Sequence, residues 1–250
     1  MSSTSETGHA RNLAAFEQLI AFCTSFQARY NPSRHALTIS SLQSKLQEAR
    51  SALQQVKVTE AAYSNATRQR AEAYRPIRPL ATRVINALAA ADVSKTAVPN
   101  ARSIVNKIQG RSKKKEETPL PPAGEDAAVQ TPRTISRSQA SYDNLADHFE
   151  KLIELLGTEP GYMPNESDLA IGALQQYMQQ LHSANTQVIA TYTACSNARV
   201  QRDQVFYAPL GGLVAVGMDV KKYIKSIFGA ASAEYRQVSG LEIKTQPAKS

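Results

Sequence analysis

The segment from Pro32 to Tyr74 recurs 132 residues later as Pro164 to Phe206 without a gap, so any fold for one copy must serve the other. Within the first copy Ile39, Leu42, Leu46, Ala49, Leu53 and Val56 step by three and four residues. Ile171, Leu174, Met178, Leu181, Asn185 and Val188 stand at the matching places. Such alternation is the a/d seam of a helix that presents one narrow apolar stripe. Each copy then reads Ser-Asn-Ala-x-x-Gln-Arg, at Ser64 to Arg70 and Ser196 to Arg202. The pattern predicts one long helix per copy of about 40 residues, on the order of 60 Å. A helix of that length gains its stability by laying the stripe against neighbours.

The flanking sequence supplies those neighbours. Leu13, Phe16, Leu19, Ile20, Cys23 and Phe26 predict a helix over 12–29, with a twin over 144–156 that Gly157 and Pro160 stop. Asn31 before Pro32, and Asn165 before Asp168, provide caps and first-turn chemistry for the long helices. Prolines 76 and 209 end them, with the offset now 133. A third helix is expected over 80–91 and 213–228, and a short fourth over 100–108 and 232–238.

The fold class is therefore all-α: an elongated helical bundle of two tandem, pseudo-twofold related repeats. Each long helix is expected to be flanked by its own two or three shorter ones. The segments are a disordered N-terminus over 1–11, repeat 1 over 12–109, and a Pro-rich, charged and disordered linker over 110–140. Repeat 2 follows over 141–243, with a disordered tail over 244–250.

Charge divides the copies. Residues 12–109 hold 13 Lys or Arg against 5 acids, a balance of +8, whereas residues 141–243 hold 7 against 11, a balance of −4. The plain reading is mutual attraction within the chain. The sharper one is an acidic partner for the basic copy, nucleic acid or an anionic membrane surface. No apolar run reaches the roughly 18 residues that span a bilayer, and the opening residues lack the basic and apolar regions of a secretion signal. A cytoplasmic location is expected. Cys23 and Cys195 hold non-equivalent places, which points to two reduced, packed thiols.

Catalytic chemistry leaves little trace. Glu6 and His9 form the one Glu-x-x-His spacing, and His35, His148 and His182 have no second ligand at i+3 or i+4. Asp147, Glu150 and Glu154 line one helix face and read as a solvated acidic stripe. No phosphate-cradling glycine loop follows a strand, and no nucleophile signature is present. No enzyme activity, catalytic residue, cofactor or metal is expected.

Two polar groupings stand out. Asn65, Gln69 and Arg70, with Asn197, Gln201 and Arg202, are expected to form a buried polar layer that fixes register between the long helices. Arg68, Arg70, Arg75, Arg78 and Arg83, interleaved with Tyr63 and Tyr74, form an elbow suited to gripping phosphates. On α-helical residues 213–228, apolar positions accompany Lys221, Lys222 and Lys225, a pattern shared by bundle helices with snorkelling lysines and by membrane-surface helices.

At Tyr162-Met163-Pro164-Asn165-Glu166, Ser196-Asn197-Ala198-Arg199, Gly212-Leu213-Val214, Val220 to Gly229 and Tyr235 to Leu241, the chain resembles a family of helical bacterial proteins, mostly from Bacteroidetes, with no assigned activity. The resemblance covers the second half well and the first half loosely. The first half lacks Val-Lys-x-Tyr-Ile-Lys-Ser and the Gly-Leu ending. No functional residue follows from it. The expected function is a non-enzymatic helical scaffold or protein-interaction module, acting through a protein partner or self-association. The alternative is a phosphate-directed module that uses the arginine elbow.

Overall fold

The structure, a computed structural model, describes the backbone of residues 4–110 and 137–245, with side chains over 8–110 and 141–245. The core of the linker expected over 110–140 and the end of the expected tail lie outside the described residues. Among the described residues all regular structure is helical: α1 (Thr4–Ser25), α2 (Ile39–Tyr74), α3 (Ile77–Ala90), α4 (Ala97–Ile108), α5 (Arg137–Gly157), α6 (Ile171–Tyr207), α7 (Leu213–Phe228) and α8 (Ala233–Ser239). Single 3-10 turns at Gln27–Arg29 and His35–Leu37 join α1 to α2.

The long helices follow their seams. Leu42, Leu46, Ala49, Val56, Ala66 and Tyr74 are buried on α2, and Leu174, Met178, Leu181, Val188, Ala198 and Phe206 on α6. Proline ends both: α2 stops at Tyr74 ahead of Pro76, and α6 at Tyr207 ahead of Pro209, since a proline ring removes a donor and drives the preceding residue out of helical geometry. Gly229, at φ 91, stops α7, and the Ser232 hydroxyl caps α8 by accepting from the Tyr235 amide at 3.1 Å.

Two expectations change at the chain's start and end. The segment expected to be disordered to Arg11 is helical from Thr4, and the buried face of α1 runs back from Phe16 through the polar Asn12 and His9. Lys244, placed in the tail, is tied to Asn12 by two hydrogen bonds of 2.9 Å each.

The chain forms two compact units, residues 1–63 with 191–250, and residues 64–190. The first has a core of α1 (Phe16, Leu19), α2 (Leu42, Leu46), α7 (Val216, Val220), α8 (Val238) and Ile243. In the second the core joins α3 (Val84, Leu88), α4 (Val105, Ile108), α5 (Phe149, Leu152) and α6 (Leu174, Leu181). Each core therefore draws on both sequence copies. The expectation that each long helix is flanked by shorter helices of its own copy omitted this: α3 and α4 pack on α5, and α7 and α8 on α1.

The loops before α2 and α6 are closed alike. Tyr30 Oη donates to the Leu37 carbonyl at 2.7 Å, and Tyr162 Oη to the Leu169 carbonyl at 2.9 Å. Cys23 and Cys195 are buried free thiols, and burial pushes Cys23 up to about 12.

Candidate functional site

In the second unit a polar node forms around Arg70, which is 3% exposed and sits on the α2 seam. Its guanidinium lies 4.3 Å from the centroid of the Tyr142 ring on α5, and that ring meets Tyr74 edge-on at 4.7 Å. The Asn185 amide on α6 donates to Tyr74 Oη at 2.8 Å and to Asp143 Oδ1 at 2.9 Å. Tyr177 Oη donates to the Ala73 carbonyl at 2.7 Å. These contacts fasten α2, α5 and α6 by geometry that plain apolar packing lacks. Burial pushes Tyr74 up to about 12, the Asn185 bond opposing it only in part. A cation over an aromatic face away from water contributes about 2 kcal/mol, which offsets part of the cost of withdrawing the guanidinium from solvent.

The first unit buries the matching arginine. Arg202 is 4% exposed, and its Nε and Nη2 donate to Asp203 Oδ1 at 3.0 and 2.9 Å. The same oxygen lies 3.3 Å from His9 Nε2, and neither His9 ring nitrogen makes a hydrogen bond. The His9 ring stands edge-on to Phe206 at 5.4 Å and tilted to Tyr207 at 5.5 Å. One turn further along α1, the Asn12 side chain both donates to and accepts from the Lys244 backbone, pinning the segment after α8.

Of the expected polar layer, only the arginines are buried. Asn65, Gln69, Asn197 and Gln201 are exposed. The seam passes through Ala66 and Arg70, so an i, i+4 pair one residue earlier is turned about 100° towards water. Of the arginine elbow, Arg68, Arg75, Arg78 and Arg83 are exposed and Arg70 is buried. Arg68 donates to Asn65 beside it in the chain. Arg78 Nε donates to the Ile108 carbonyl at 3.2 Å. Arg83 forks onto Asp168, with Nη2 to Oδ1 at 3.1 Å, and this partner holds the Asp168 carboxyl below its usual range. Tyr63 packs against Tyr192 at 5.6 Å.

Sequence reasoning missed His9, Tyr142, Asp143 and Asp203 as members of the nodes. A signal existed for His9, which extends the stripe of Asn12, Phe16 and Leu19 backwards at helical spacing. Asn185, the one polar residue among the twelve seam positions named from the sequence, is buried; its amide nitrogen has two acceptors, whereas its Oδ1 makes no hydrogen bond.

Other features are open or already engaged. A groove of about 1110 Å³ between α1 and α2 is lined by Glu17, Ile20, Thr24, Gln43 and Gln47, and Arg50 donates to Glu17 at 2.6 Å. Asp147 of the acidic stripe accepts from Lys151 at 2.6 Å. Lys221 of α7 donates to the Ser239 carbonyl at 3.3 Å and to that of Leu241, and Lys222 to Asp219 at 3.2 Å. Among the described residues no group of three or more His, Cys, Asp or Glu is arranged to hold a metal ion, and no helix is long and apolar enough to cross a membrane. No protein-family model, curated protein or solved structure matches the chain.

Proposed function

We propose that the protein is a non-enzymatic helical scaffold of two equivalent copies, which presents surface positions to a protein partner. One observation carries this reading: the residues with the chemistry for a site are engaged in joining helices. Arg70, Asn185 and Arg78 link helix to helix, as Arg83 with Asp168 and Asn12 with Lys244 link helix to loop, while Arg202 is engaged with Asp203 on its own helix. A catalytic constellation would leave such groups converging on space that a substrate can enter. Large apolar side chains left in water include Leu210 and Met163, 90% and 82% exposed on loops, and Val58, Ile189, Tyr192 and Val200 on the long helices.

The test compares proximity capture in the native cells using wild type and a Met163→Ser/Leu210→Ser variant with unchanged melting. Proteins enriched by the first and lost with the second support the reading. Equal capture by both, or capture at background, removes these loops as contact points. The phosphate-directed alternative keeps one supporting observation, the exposure of Arg68 and Arg75. Retention of DNA or anionic vesicles at low salt, falling steeply as salt rises and abolished by Arg68→Ala/Arg75→Ala, would select it.

A further inference from the structure

Both cores are surfaces between copies. In the first unit α1 meets α7 and α8, and in the second α3 and α4 meet α5. We infer that these surfaces fit the other copy and reject their own kind, so that the chain is a tethered hetero-pair. The partner each half accepts is the opposite half of the same chain. The inference uses the equivalence of the copies and is independent of any outside partner.

The ion pairs carry the argument. Arg34 donates to Asp219 at 2.7 Å, Arg29 to Glu234 at 2.8 Å, and Arg83 forks onto Asp168. In all three the base belongs to the first copy and the acid to the second. A fourth pair, Arg199 to Glu60 at 2.6 Å between the long helices, has the opposite polarity.

The repeat shows what self-pairing would bring together. At the offset of 132, Arg34 corresponds to Glu166 and Asp168 to Ala36. The buried positions of the third helices also align at 132, Ala81, Val84 and Leu88 with Leu213, Val216 and Val220. Arg83 then corresponds to Ala215, and Asp219 to Ala87; the offset of 133 set by the prolines gives Val216 and Asn86 instead. Neither register restores a partner. Two first copies would set Arg34 against Ala87 and Arg83 against Ala36, while adding +8 to +8. Two second copies would set Asp219 against Glu166, acid on acid, while adding −4 to −4. Tyr142 corresponds to Ala10, so a pair of first copies also loses the ring beneath Arg70. Absent partners and like-charge contacts are how specificity is built against a wrong match.

The experiment uses the full chain with a protease site inserted within residues 111–136 and cut after purification. The two pieces are expected to stay together as a one-to-one complex by native mass spectrometry and light scattering. After denaturation and joint refolding they are expected to re-form it without homodimers. In the cut protein Arg34→Glu with Arg83→Glu should raise the dissociation constant, roughly threefold for each exposed pair lost. Adding Asp219→Arg and Asp168→Arg should recover most of that loss. Pieces that separate on cutting, that refold into homodimers, or that bind equally well with the arginines reversed would overturn the inference.

Discussion

Tyr30 and Tyr162 perform one task at two addresses, each closing the loop ahead of a long helix by donating to a carbonyl seven residues on. Removing the hydroxyl keeps the ring and leaves the carbonyl without its donor. Tyr162→Phe should therefore cost about 1 kcal/mol in urea unfolding, and Tyr30→Phe a similar amount. Gly161 poses a backbone constraint: an added Cβ would lie 1.8 Å from the Asp92 carbonyl oxygen, whereas one on Gly157 meets nothing within 4 Å. Gly161→Ala should destabilise by about 1–3 kcal/mol, the scale of overpacking, and Gly157→Ala should not; matched denaturant curves distinguish them. At this scale the sequence was only partly legible. Arg70 and Arg202 were visible as a repeated feature, but their burial followed from a seam phase that also turned Asn65 and Gln69 outward. The ring beneath Arg70 comes from 72 residues away, and no local pattern announces it.

The helices themselves were the readable layer, because period and proline are local properties. Both seams and both proline stops stand where spacing placed them. Starts were less readable: α1 reaches back to Thr4 and α5 to Arg137, further than the spacing of apolar residues carries either pattern. Leu174 and Leu181 are fully buried on the α6 seam. Leu174→Lys and Leu181→Lys should each destabilise by at least about 3 kcal/mol, since a charge replaces packed apolar volume. Val200→Lys, on the exposed side of the same helix, should stay within about 0.5 kcal/mol. Helicity and melting by circular dichroism read both outcomes.

For the molecule as a whole, ionisable groups set a pH window. Arg83 holds Asp168 below its ordinary range, Arg34 does the same for Asp219, and Glu234 is lowered first by its own backbone amide and then by Arg29. A depressed folded value means that the unfolded chain binds more protons in acid. This stability is present above the ordinary carboxylate range near about pH 4 and is lost as pH falls through the folded values. Tyr74, Tyr162 and Tyr177 are raised to about 12, chiefly by burial. Their contribution is complete below the ordinary phenol value of about 10 and disappears as pH climbs from there towards the folded values. Tyrosinate absorbance for these rings should rise together with loss of helicity; early ionisation with helices intact would contradict it. Topology was the least legible level, since a repeat announces equivalence without saying which copy's helices will meet. Its outcome bears on how a nascent chain acquires structure. The first unit needs both Phe16 and Ile243, whereas the second closes within residues 64–190. Ribosomes would thus release an α1 whose covering surface is made about 200 residues later, and long sequence separation slows closure. In pulse-labelled refolding, amides of Leu152 and Leu174 should gain protection before those of Phe16 and Val220.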